Sequence, residues 1–151
     1  MSDPGHFFAL GGGAGLLPKA PGTAGTIIGL IIFWPLATLD NWTYVGFVAA
    51  LFVIGVPLCA RTADVLGEHD HPSIVWDEIV GILVTLAFVT PTLETIVLAF
   101  CTFRIFDIVK PWPISFLDRR VTGGLGVMLD DLLAAIFSGI VLVIIEYLSY
   151  I

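Results

Sequence analysis

From Trp42 to Ala60 the chain runs without a single charged side chain, and from Leu132 to Ile145 it does so again. A helix needs about 20 mostly apolar residues to cross the ~30 Å hydrocarbon core of a bilayer. With their flanks, both runs reach that length. The rest of the chain follows the same trend: 58% of its 151 residues are hydrophobic and only 13% are charged. Mean hydropathy is +1.02. A water-soluble fold of this size has too few polar residues to cover so much apolar surface. The expectation is one domain, residues 1–151, folded as an all-α polytopic membrane bundle.

Five spans are expected. Residues 1–25 are rich in Gly and Pro and read as a loop or short amphipathic piece ahead of the membrane. The first span is placed at Thr26–Leu39, with a bend at Pro35. Asp40 and Asn41 form a turn, and the second span covers Trp42–Ala60, with Trp42 and Tyr44 at an interface. The third covers Ile79–Val89, the fourth Glu94–Val109 and the fifth Met128–Tyr150, with Pro111 and Pro113 stopping the fourth. The first and third runs are short for a bilayer, so four spans plus a re-entrant piece is the alternative.

All six basic residues, Lys19, Arg61, Arg104, Lys110, Arg119 and Arg120, then fall on one side. Asp40, Glu94 and Glu146 fall on the other. Positive-inside logic puts the basic side and the N-terminus in the cytoplasm and the C-terminus outside. The start, MSDPGHFF, lacks a basic stretch, so no cleavable leader is expected. A net charge of −7 argues against nucleic acid. Cys59 and Cys101 lack CxxC spacing and read as small core hydrophobes.

The unusual polar residues gather on the basic side. Asp77 and Glu78 open the third span, Arg104, Asp107 and Lys110 end the fourth, and Asp130 and Asp131 open the fifth. Clustered carboxylates repel unless a cation or proton intervenes. Oxygen ligands without cysteine suit a hard ion such as Mg²⁺. Arg104 and Lys110 would hold phosphate oxygens while Asp107 holds metal. The plainer alternatives are acids that cap helix starts and a local ion pair along the fourth helix. The segment "PKAPGTAGT" leads into the first span with Lys19, Thr23 and Thr26. Its backbone N–H groups could take an anion at a helix start, or it is simply a flexible turn. His69 and His71 could bind metal but read as a solvated loop, and His6 has no evident partner. Arg119 and Arg120 either attract anionic lipid or fix topology.

The stretches "LLPKAPGTAGT", "WDEIVG", "FRIFDIVKPWPI" and "GGLGVMLDDLLAA" occur in this order from Gly15 to Ala135. In them the chain resembles the bacterial phosphatidylglycerophosphatase A family. The resemblance implies Mg²⁺-dependent removal of the terminal phosphate of phosphatidylglycerophosphate, giving phosphatidylglycerol, at the cytoplasmic leaflet of the inner membrane. It points to Lys19, Thr23, Thr26, Asp77, Glu78, Arg104, Asp107, Lys110, Asp130 and Asp131. The expected metal ligands are Asp77, Glu78, Asp107, Asp130 and Asp131, with Glu78, Asp107 and Asp131 catalytic. Lys19, Thr23, Thr26, Arg104 and Lys110 would bind substrate. The sequence holds no Cx₅R, DxDx[TV] or PSGH-type nucleophile segment, which leaves metal-dependent attack by water as the simplest chemistry. Three other readings stand beside this one: a phosphatase of a different lipid phosphate, a small transporter with an acidic ion site, and a structural membrane subunit. Against a transporter, the polar residues sit on one side rather than at the midplane.

Overall fold

A computed structural model describes residues 4–68 and 70–149, and these contain helices and turns but no strand. The helices are α1 (Pro4–Ala9), α2 (Pro21–Leu36), α3 (Asn41–Leu66), α4 (Trp76–Leu86), α5 (Leu93–Val109), α6 (Ile114–Arg120) and α7 (Gly124–Ser149), with a 3₁₀ turn at Gly11–Leu16. Two of them, α3 and α7, are long and apolar enough to cross a membrane by length and composition, while α2 is apolar but shorter.

The ends of these helices follow from local chemistry. Asp40 is a cap rather than a turn residue: its Oδ1 accepts from the Thr43 N–H at 3.1 Å and starts α3. Thr92 and Thr95 form a reciprocal capping box at the start of α5. At the far end of α3, Gly67 adopts φ 75° and returns its N–H to Ala63. Lys110 performs the same closure for α5 at φ 43°, an unusual conformation for a lysine.

The boundaries depart from the sequence expectation in instructive ways. α2 begins at Pro21, five residues before Thr26, because proline at the first helical position costs no hydrogen bond. Pro35 lies in its last turn, so the helix stops one residue later instead of continuing to Leu39. α3 runs past Ala60 through Arg61 to Leu66 and carries the span into polar sequence. α7 starts at Gly124, which places Asp130 and Asp131 about 10 Å along the helix rather than at its mouth. The end expected at Tyr150 lies outside the described residues. The short helix α6 occupies what reads as a plain loop, and α1 with the 3₁₀ turn replaces most of the N-terminal loop.

α4 is the centre of the bundle. It packs against α2, α3, α5 and α7. Ile79, Val80, Ile82, Leu83 and Leu86 are each at most 3% exposed. Trp76 donates its indole N–H to Leu51 O, and the Tyr44 hydroxyl donates to Leu83 O, so α3 is tied to α4 at two levels. α3 and α7 approach so closely at Gly124 that a Cβ there would meet the backbone of Val56 and Ala60. The outward faces are apolar: Ile31, Trp34, Val53, Val143 and Leu148 are all exposed. Cys59 is buried as expected, whereas Cys101 faces outward.

Candidate active site

The starts of α2 and α4, the second turn of α7 and the end of α5 converge on one cavity of about 280 Å³. Asp77 and Glu78 reach it because they occupy the first turn of α4, where the positive end of the helix dipole favours carboxylates. Asp77 is 7% exposed and Asp131 3%. Asp77, Glu78 and Asp131 each offer a carboxylate oxygen within 4.8 Å of the others. Asp77 Oδ1, Glu78 Oε2 and Asp131 Oδ2 are buried and have no hydrogen-bond partner. Buried unpartnered oxygens are costly, so three carboxyl groups this close, each with one such oxygen, need a cation or protons between them. Their number, hardness and spacing suit a divalent ion bound through oxygen.

Cationic side chains border these acids. Arg104 Nη1 donates to Asp107 Oδ2 at 2.5 Å and lies 3.7 Å from Glu78 Oε1. Arg104 Nε is buried without a partner, so part of the guanidinium fork is unspent. Lys110 Nζ donates to Asp130 at 2.5 Å and to Asp118 at 2.7 Å, with Asp70 3.7 Å away. Burial works against the Lys110 ammonium, but Asp130 and Asp118 outweigh it and hold its pKa above the ordinary lysine value. It is charged throughout the neutral range.

The residues expected from sequence divide into three groups. Asp77, Glu78, Asp131, Arg104, Asp107, Lys110 and Asp130 all line the cavity. Adjacent aspartates on a helix point about 100° apart, and Asp130 accordingly turns to Lys110 while Asp131 joins the acids of α4. Asp107 stands outside the three-acid set, with one oxygen held by Arg104. Lys19 is exposed and Thr23 half-buried, and the cavity lining begins only at Ala20. Thr26 is fully buried and donates its hydroxyl to Gly22 O at 2.8 Å, which fixes the first turns of α2. That turn has no side-chain cap.

Asp70 and Asp118 reach Lys110 although the sequence does not single them out. His71 accepts from the Ser73 N–H and shapes its own loop, while His69 lies outside the described residues. His6 does find a partner: its Nδ1 lies 3.0 Å from Thr62 Oγ1, which pins α1 to α3.

A helical bundle that brings three carboxylates, each with a buried oxygen lacking a partner, together with an arginine and a lysine to one chamber has the elements of phosphate-ester chemistry. The chain matches the family model described as phosphatidylglycerophosphatase A over residues 7–146, and it belongs to that family. It is 45% identical to the phosphatidylglycerophosphatase A of Haemophilus influenzae over 97% of this chain and 91% of that protein. It is 46% identical to the phosphatidylglycerophosphatase A of Escherichia coli K12, over 91% of this chain and 81% of that one. A Bacteroides thetaiotaomicron protein, provisionally named a phosphatidylinositol-3-phosphatase, is 35% identical over 89% of this chain and 88% of its own length. No solved structure shows significant similarity to the chain.

Proposed function

We propose that this protein hydrolyses the terminal phosphate of phosphatidylglycerophosphate, releasing phosphatidylglycerol and inorganic phosphate, with Mg²⁺ as its cofactor. One observation carries the reading: Asp77, Glu78 and Asp131 bring carboxylate oxygens within 4.8 Å of one another, each has a buried oxygen without a partner, and they share a cavity with Arg104 and Lys110. Family membership supplies the substrate.

Hydrolysis of a phosphate monoester requires ~20 kcal/mol or more of the uncatalysed barrier to be offset. Asp77, Glu78 and Asp131 would hold Mg²⁺. Bound there, the ion supplies Lewis acidity and neutralises charge at the phosphoryl group. Glu78, the least buried of the three, takes the proton from the attacking water. Arg104, steadied by Asp107, and Lys110, steadied by Asp130, take non-bridging oxygens as charge spreads over them in the transition state. The uncapped N–H groups at the start of α2 offer further donors. Lys19 and Thr23 lie outside the cavity, where they would meet the glycerol and headgroup region.

The chain is seated, in this reading, as a five-span bundle in the bacterial inner membrane. The site opens to the cytoplasmic leaflet and the acyl chains stay in the bilayer. The exposed apolar faces of α2, α3 and α7 and the single-sided distribution of Lys and Arg support it.

Purified protein in detergent is expected to release phosphate from phosphatidylglycerophosphate with Mg²⁺, to stop in excess EDTA and to recover when Mg²⁺ is restored. Absence of release would refute the assignment, and full activity in EDTA would remove the ion from it. The Bacteroides relative favours a second reading, a different lipid phosphate as substrate. Phosphatidylinositol 3-phosphate assayed in parallel decides between them by kcat/KM.

Gly22 offers a further test. A Cβ there would meet Glu78 Oε1 and lie 3.0 Å from both terminal nitrogens of Arg104. Gly22→Ala is therefore expected to displace the pair and lower kcat/KM by about tenfold or more, with membrane insertion unchanged. Wild-type kinetics in that variant would show that the Glu78–Arg104 geometry is not needed.

A further inference from the structure

Asp118 has no part in the mechanism above, yet it holds one of its cations. α6 is anchored by Ile114, which is fully buried, and by its packing on α7. It carries Asp118 Oδ1 to 2.7 Å from Lys110 Nζ, and Asp130 Oδ2 lies at 2.5 Å. Asp70, Asp118 and Asp130 bring carboxylate oxygens within 4.8 Å of one another, the same limit met by Asp77, Glu78 and Asp131. Two cation seats thus adjoin one chamber. In the first, all three acids have a buried oxygen without a partner; in the second, the Lys110 ammonium lies among the acids, and only Asp130 Oδ1 is buried without a partner.

We infer that Lys110 is the resident cation of the second seat and that Asp118 is the positioning residue that keeps it there. The site then takes one divalent ion and one tethered ammonium where two divalent ions could otherwise sit. The inference rests on the magnesium phosphatase reading above.

An ammonium has three N–H donors. Asp130 and Asp118 accept two of them at hydrogen-bonding distance. Asp70 is 52% exposed and 3.7 Å away, too far for a hydrogen bond, which leaves the third donor for a phosphate oxygen. Lys110 cannot drift far, since its own backbone closes α5. Without the ammonium, three carboxylates would face one another with no counter-charge, a strong attractor for a divalent ion.

The test counts ions. Full-length wild type and Lys110→Met, both purified in detergent, are titrated with Mn²⁺ and the free ion is read by electron paramagnetic resonance. Lys110→Met is expected to bind one more Mn²⁺ than wild type, and Lys110→Met with Asp118→Asn to lose that gain. An unchanged count in Lys110→Met overturns the inference. The readout is a difference: a wild-type count of zero would overturn the magnesium reading above and the one-ion count with it, while the gain in Lys110→Met alone decides whether Lys110 fills the second seat. Kinetics give a second arm. Asp118→Asn keeps the shape but removes the charge, and is expected to raise KM about tenfold with little change in kcat. Asp118→Glu should restore part of the loss. A side chain that merely packs α6 would lower kcat through less active protein at constant KM, so an unchanged KM overturns the positioning role.

Discussion

Asp131→Asn is expected to lower kcat for phosphate release by about a thousandfold, the scale on which removing a principal electrostatic partner acts. Asparagine keeps the shape and one oxygen but loses the charge. At 3% exposure bulk solvent does little to replace what is lost. Folding should not suffer. In metal-free solution Asp77, Glu78 and Asp131 repel one another, and deleting one charge relieves that repulsion. The thermal midpoint of the metal-free variant in detergent should therefore equal or exceed that of wild type. Loss of activity together with a lower midpoint would mean that Asp131 is structural. Near-normal activity would remove it from the site.

Arg104→Lys is expected to cost about a hundredfold in kcat/KM although the charge is kept. Arg104 spends one nitrogen on Asp107 and still has a buried, unpartnered Nε. A lysine is a point charge on a flexible stem: it can hold Asp107 or a phosphate oxygen but does not present a planar fork to both. Steady-state kinetics on phosphatidylglycerophosphate at saturating Mg²⁺ check this. A loss below threefold would show that Arg104 acts through charge alone.

Much of this site is legible in the sequence because its residues stand out against their setting. Asp77, Glu78, Asp130 and Asp131 interrupt apolar runs where a charge is expensive, and Arg104, Asp107 and Lys110 recur at helical spacing. All seven line one cavity. What spacing cannot reveal is how neighbours divide. Asp130 and Asp131 look like one pair, but a rotation of about 100° sends them to different partners. Asp70 and Asp118 stay hidden for another reason. Each lies in a polar stretch where an acid is unremarkable, and α6 has only seven residues, too few for periodicity to stand out. Thr26 is the converse case. It occurs in the motif that suggests phosphate binding, yet its hydroxyl is committed to Gly22 O.

The length of α4 has a consequence for the membrane seating proposed above. Its 11 residues rise only about 16 Å, roughly half a bilayer core. Beyond Asp77 and Glu78 it continues as Ile79, Val80, Ile82, Leu83 and Leu86, all buried. The hydroxyl of Thr85 is turned back on Gly81 O and that of Thr102 on Leu98 O, and the Ser138 hydroxyl meets Thr102. The acids thus stand above a largely hydrocarbon stopper, in which these hydroxyls and that of Tyr44, on Leu83 O, are spent on close neighbours. In the inner-membrane seating proposed above, so acidic a catalyst would sit beside an ion gradient without short-circuiting it.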